Sequence, residues 1–298
     1  MAEPKVPSMQ DLLTAGAHFG HKVSRAHPKM RDYIFGARDG ISIIDLEKTE
    51  EKLKEAVKGA YELGKAGKVM LVVATKKQSK EIAKDLAKEA DTPFMTERWI
   101  GGLLTNFEEM KRKIRKLTEL KDEKEKGKLD HYTKKEQLLL DRELNKFERE
   151  YGGIVNMATI PDAMFLADAV SDNIAVKEGL RLNIKLLGFS DTNADPNWFD
   201  FPVPANDDGI KSIKLICEAV IRAYAQGKKE AGHNTNPAKP EVVEESEEEV
   251  KTEKKSKKAD KEETEEVVAE VDPELVEETL AIEEEVEKAE VADAERKV

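Results

Sequence analysis

Three of the five histidines fall close together, at His18, His21 and His27. An H-x-x-H pair with a third imidazole nearby can bind a metal ion, but no H-E-x-x-H, no C-x-x-C and no local acidic cluster supports it. No metal site is therefore expected, and these histidines are the only weak candidates. Combined with Asp191, His18 and His21 would make an acid–base site on an enzyme. Asp191 opens the run Asp191-Thr192-Asn193-Ala194-Asp195-Pro196. Asp and Asn before a proline also make an ordinary turn, and the turn is the favoured reading. Around the histidines the chemistry is cationic. Residues 18–38 carry Lys22, Arg25, Lys29, Arg31 and Arg38 against the single acid Asp32, with Phe19, Tyr33 and Phe35 interleaved. Such cations pair phosphates, and rings stack on exposed bases; the same rings also serve as core anchors. Lys76 and Lys77 follow an apolar run where a nucleotide-binding protein would carry glycines. Neither G-x-G-x-x-G nor G-x-x-x-x-G-K-[ST] occurs, so phosphate-loop chemistry is excluded. Arg98 stands beside Trp99, as a structural clamp or an RNA contact.

The elements that must hold these residues alternate between strand and helix. A short helix is predicted over residues 6–16, capped by Ser8. Strands at 33–37 and 41–46 flank the turn Arg38-Asp39-Gly40. Thr49 is predicted to cap a helix running to about residue 66. Residues 68–75 form a continuous apolar strand, the pattern of a strand covered on both faces. A helix at 79–90 and a strand at 92–96 follow. Beyond residue 160 come strands at 163–167, 184–189 and 201–203 and helices at 173–182 and 207–227. Asn206-Asp207-Asp208-Gly209 reads as the cap and first turn of that last helix. This order implies an α/β fold, an open doubly wound sheet of about five parallel strands.

One stretch interrupts the alternation. Apolar residues at Phe107, Met110, Ile114 and Leu117, then at Leu140, Leu144, Phe147 and Tyr151, step by three and four as in a coiled-coil seam. Gly127-Lys128-Leu129-Asp130 separates the two runs, and Thr133 with Glu136 has capping-box spacing. The spacing predicts an inserted antiparallel helical hairpin touching mainly itself and projecting roughly 30 Å. Gly101-Gly102 and Gly152-Gly153 flank it and would give the backbone freedom to leave and re-enter the domain. Residues 111–150 hold 14 basic and 10 acidic residues. A long basic arm suits a polyanionic partner. A solvated hairpin whose charges serve only solubility is the alternative.

The overall charge of -12 misleads. Residues 231–298 contain 24 acidic and 10 basic residues, leaving 40 basic and 38 acidic in residues 1–230. The acidic tail has no aromatic residue, and its composition predicts disorder. The single cysteine, Cys217, lies in an amphipathic run and reads as core; it fits a reducing compartment. The first eleven residues lack a signal-peptide apolar region, and no run of 18 apolar residues occurs. A cytoplasmic location is expected.

Several motifs together resemble one family. They are His18-Phe19-Gly20-His21, Pro28-Lys29-Met30, Ile34-Phe35-Gly36-Ala37-Arg38, Arg98-Trp99-Ile100-Gly101-Gly102-Leu103-Leu104-Thr105-Asn106, Pro161-Asp162-Ala163 and Asp191-Thr192-Asn193-Ala194-Asp195-Pro196. In order and approximate spacing they resemble the bacterial small-subunit ribosomal protein S-two family over about residues 8–227. The departures are Ala74-Thr75-Lys76-Lys77, where a glycine often precedes the threonine, and Ser190, where an apolar residue is usual. The resemblance implies a flavodoxin-like α/β domain with a coiled-coil arm. It implies a structural constituent of the small ribosomal subunit, without catalysis or cofactor. Such a protein binds ribosomal RNA, docks neighbouring ribosomal proteins and helps recruit ribosomal protein S-one. The expected organisation is a globular body at residues 1–105 and 152–229, an arm at 106–151 and a disordered acidic tail at 230–298. RNA contacts are expected at Lys22, Arg25, Lys29, Arg31, Arg38, Lys76, Lys77, Arg98, Lys111, Arg112 and Arg115.

Overall fold

The computed structural model describes residues 5–126 and 134–232. The predicted hairpin turn, Thr133 and the tail beyond residue 232 lie outside the described residues. Five strands pair in parallel: β4 (Met70–Val73), β5 (Phe94–Met95), β6 (Ala163–Leu166), β7 (Lys185–Phe189) and β8 (Phe201–Val203). Their lateral order is β5-β4-β6-β7-β8. Counted along the chain this is 2-1-3-4-5, the flavodoxin-like order, with its topological switch between β4 and β6.

Alternation along the strands divides two cores. Met70, Val72, Ala163, Phe165, Leu187 and Phe189 face one core with α2 (Leu46–Lys65), α3 (Lys77–Glu89) and α7 (Ile210–Glu230). Leu71, Val73, Met164, Leu166 and Leu186 face the other with α6 (Asn173–Arg181). Both faces are covered, which is why these strands read as unbroken apolar runs. Helices α2 and α7 cross closely because each presents a glycine. A Cβ at Gly64 would lie 2.2 Å from the Tyr224 carbonyl, and one at Gly227 equally close to the Tyr61 carbonyl.

Before the main sheet stand α1 (Met9–Ala15) and a three-stranded antiparallel sheet of order β1-β3-β2, formed by Phe19–Lys22, Ile41–Ile44 and Ile34–Arg38. Ser8 caps α1 in a full capping box with Asp11. Strand β1 has no counterpart in the sequence reading. The α2 cap is Asp45, whose carboxylate accepts from the Glu47 amide; Thr49 instead lies inside the helix. Its buried hydroxyl donates to the carbonyls of Asp45 and Pro204.

The insertion forms α4 (Phe107–Glu125) and α5 (Lys134–Tyr151). Ion pairs Lys116–Glu143, Lys121–Glu148 and Lys124–Asp141, each at 2.8 Å, tie the two helices. Leu117, Leu144 and Tyr151 are buried, and Leu140 and Phe147 half-buried. The expectation that these helices touch mainly each other needs correction. Phe107, Met110, Ile114 and Leu117 share a core with Leu71, Val73 and Trp99 of the body, so α4 is rooted in the domain.

Candidate functional site

Because the five strands are parallel, the residues that follow them gather at one edge of the sheet. Lys76 follows β4, Asp168 and Asp172 follow β6, Asp191 follows β7, and Asp207 and Asp208 follow β8. Lys76 Nζ lies 2.6 Å from Asp208, 2.8 Å from Asp207 and 3.3 Å from Asp168. Burial works against its ammonium, but the bonds to Asp207 and Asp208 outweigh it and raise its pKa. Burial pushes the Asp207 carboxyl up to about 7, aided by the charges of Asp191 and Asp168 and opposed by Lys76. Asp172, donated to by the Thr75 hydroxyl at 2.8 Å, is pushed up to about 6, again mainly by burial. For Asp168 burial is outweighed by bonds from Ser171 and the Lys76 charge, and its pKa falls.

His21 enters from β1. Its Nδ1 lies 3.1 Å from Asp191 Oδ2, close enough for charge attraction although it is off the hydrogen-bond line, and the adjacent carboxylate raises its pKa. His21, Asp191 and Asp207 each offer one donor atom within 4.8 Å of the others, a nitrogen and two oxygens able to hold a divalent ion. The histidine trio does not assemble. His18 stacks on Phe19 at 4.0 Å between ring centroids, and His27 Nδ1 accepts from the Lys29 amide at 3.4 Å. The clustering of Lys76 with Asp168, Asp207 and Asp208 escaped the sequence reading, which favoured a turn at Asp191, with an acid–base site of His18, His21 and Asp191 as the alternative, and read Asn206-Asp207-Asp208-Gly209 as the cap and first turn of the last helix. The helix starts at Ile210 with Gly209 as its cap, and Asn206 makes the turn before it, accepting from the amides of Asp208 and Gly209.

The remaining cations divide by partner. Lys22, Arg25, Arg31, Lys77, Arg98 and Arg115 are exposed and form no ion pair among the described residues. Lys29 Nζ lies 2.7 Å from Asp195, whose pKa is lowered because this bond and the Asn197 amide outweigh burial. Arg38 sits 3.8 Å from exposed Asp39. On α4, Lys111 pairs with Glu108 at 3.6 Å and Arg112 with Glu109 at 2.6 Å. Lys76, enclosed by three carboxylates, presents no free ammonium. Phe35 is 80% exposed and Phe19 51%, so neither ring is a core anchor. Trp99 is buried beside exposed Arg98.

A flavodoxin-like sheet whose ligand edge is filled by its own lysine and aspartates, with a helical pair inserted after β5, defines an α/β scaffold with a closed nucleotide edge. The sequence model of the family described as Ribosomal protein S2 matches residues 12–227. Relatives named "Small ribosomal subunit protein uS2" match most of the chain. The protein of a Nitratiruptor species is 42% identical over 246 residues, covering 81% of this chain and 92% of the relative. That of Aliarcobacter butzleri is 43% identical over 242 residues, covering 81% and 91%. That of Hahella chejuensis is 42% identical over 227 residues, covering 76% and 90%. The chain belongs to the ribosomal protein S2 family.

Proposed function

We propose that this chain is a structural constituent of the small ribosomal subunit that binds ribosomal RNA through exposed cations and helps dock neighbouring ribosomal proteins. The observation that carries the reading is the set of six exposed cations, Lys22, Arg25, Arg31, Lys77, Arg98 and Arg115, left without acidic partners among the described residues on a protein of this family. Unpaired ammonium and guanidinium groups pair phosphates at low desolvation cost, whereas Lys76 would first have to leave three carboxylates. Lys29, Arg38, Lys111 and Arg112 form a second tier, since surface pairs are weak enough to exchange for phosphate.

The helices α4 and α5 act in this reading as an antiparallel coiled-coil arm (residues 106–151) that extends the reach of the body (1–105 and 152–229). Their half-buried seam and three inter-helix ion pairs support it. The exposed rings Phe19 and Phe35 offer surface for an unstacked base or a protein neighbour, ribosomal protein S-one among the candidates. Contacts to phosphate position the protein, and the shape of folded RNA supplies specificity. The proposal contains no catalytic step. No described helix is long and apolar enough to cross a membrane. Sedimentation of tagged protein through a sucrose gradient tests the reading. The protein should travel with small subunits and shift to the top after ribonuclease; sedimentation unchanged by ribonuclease would contradict it.

A further inference from the structure

The geometry points to Glu178 of α6 as the positioning residue for the inserted helices. Its carboxylate, in a residue only 8% exposed, accepts from five donors in the segment that leads into α4. They are Trp99 Nε1 at 3.1 Å, the amides of Gly102 at 2.7 Å, Leu104 at 3.0 Å and Thr105 at 3.2 Å, and the Thr105 hydroxyl at 3.3 Å. A carboxylate has about four lone-pair sites, so this group is saturated. All five donors are neutral; the charge is stabilised by converging dipoles rather than by a cation. Burial alone would raise the Glu178 pKa, but these bonds outweigh it and lower it.

Helix α4 begins two residues after Thr105, and its first turn closes through Met110 N to the Asn106 carbonyl. Leu103 and Leu104 are buried in the same core as Phe107 and Met110 of that turn. One side chain thereby fixes the segment from which the helix departs. The return is fixed separately: Phe94 N donates to the Gly153 carbonyl at 3.0 Å, and a Cβ at Gly153 would lie 2.2 Å from the Phe94 carbonyl. The flanking Gly153 therefore serves close packing, contrary to the expected backbone freedom. The helical pair leaves the domain at a set angle, with Glu178 holding one of its two roots. Its consequence for RNA rests on the function proposed above; the orientation does not.

The full chain labelled at E119C on α4 and D85C on α3 gives a spin-label distance distribution across this joint. In E178Q the amide nitrogen faces N–H donors and cannot accept, so several are stranded. The distribution should at least double in width while helix content by circular dichroism stays unchanged. Amide exchange at Gly102, Leu104 and Thr105 should rise by about tenfold or more. A distribution that superimposes on that of the parent overturns the inference. Should E178Q fail to fold, W99F removes one donor and keeps the carboxylate; it should broaden the distribution less, and an unchanged width again overturns the inference. The measurement needs no RNA, so absence of RNA binding by the parent would refute the proposed function without touching this result.

Discussion

Replacing Lys76 by Met should destabilise the protein strongly at pH 8 and much less at pH 5. Methionine keeps most of the apolar stem but removes the ammonium. Asp208 is 55% exposed at its side chain, so losing that pair matters by less than about 1 kcal/mol. Asp207 and Asp168 are 4% and 6% exposed, and stripping the cation from them leaves buried uncompensated charge, which costs about 3–5 kcal/mol. At pH 5 Asp207, with its pKa near 7, is already neutral, leaving chiefly lost hydrogen bonds and the Asp168 charge, or about 1–3 kcal/mol. For a folded region of this size, 1 kcal/mol moves Tm by about 2–4 °C, so the loss at pH 8 is about 6–20 °C. Urea denaturation of the full chain with chelator present, at both pH values, measures this. A loss under 1 kcal/mol at pH 8, or one equal at the two pH values, would refute the argument that Lys76 is locked to buried acids.

Three further outcomes follow from the same geometry. The salt dependence of RNA affinity should fall by about 0.7–0.9 in logarithmic slope for R31Q or R25Q, one phosphate each, and stay unchanged for K76M at a temperature where it is folded; filter binding across a salt series reads this. Stability should decline as pH rises from about 4 to 7, because Asp172 and Asp207 carry folded-state pKa values above 3.8, so the folded chain binds more protons there. His21, raised above 6.5 by Asp191, extends the decline beyond about pH 6.5, and D207N should flatten the part between 4 and 7 in denaturation curves. G64A and G227A each push a methyl against backbone at 2.2 Å and should lower stability by about 1–3 kcal/mol, visible as a drop in Tm.

The parallel sheet was legible because its strands are covered on both faces. Met70–Val73 and Ala163–Leu166 are unbroken apolar runs between amphipathic helices, a pattern few other architectures produce. Strand β1 was not legible: Phe19–Lys22 is short and polar, contains a glycine, and is stabilised by pairing with β3 some twenty residues later. Asp45 and Thr49 are both capping types, and only the backbone decides that Asp45 starts α2 while Thr49 bridges to Pro204. The polar edge was hidden for a related reason. Lys76 meets acids that lie 92 to 132 positions further along the chain, so local charge counting presented it as a free phosphate ligand. His21 meets Asp191 through sheet order, as the alternative acid–base grouping had them, but His18 of that grouping and His27 turn to other partners. The exposed cations of residues 22–38 were legible because no acid but Asp32 lies among them.

In the function proposed for this chain, unpaired surface cations grip the RNA backbone. The most direct test compares the full chain with a variant in which Lys22, Arg25, Arg31, Lys77, Arg98 and Arg115 are all replaced by Gln, measuring affinity for a small-subunit ribosomal RNA fragment from low to physiological salt. The logarithmic slope should shrink by about four to five, from six lost phosphate pairs at about 0.7–0.9 each. A variant that folds normally and keeps the parental slope would contradict it.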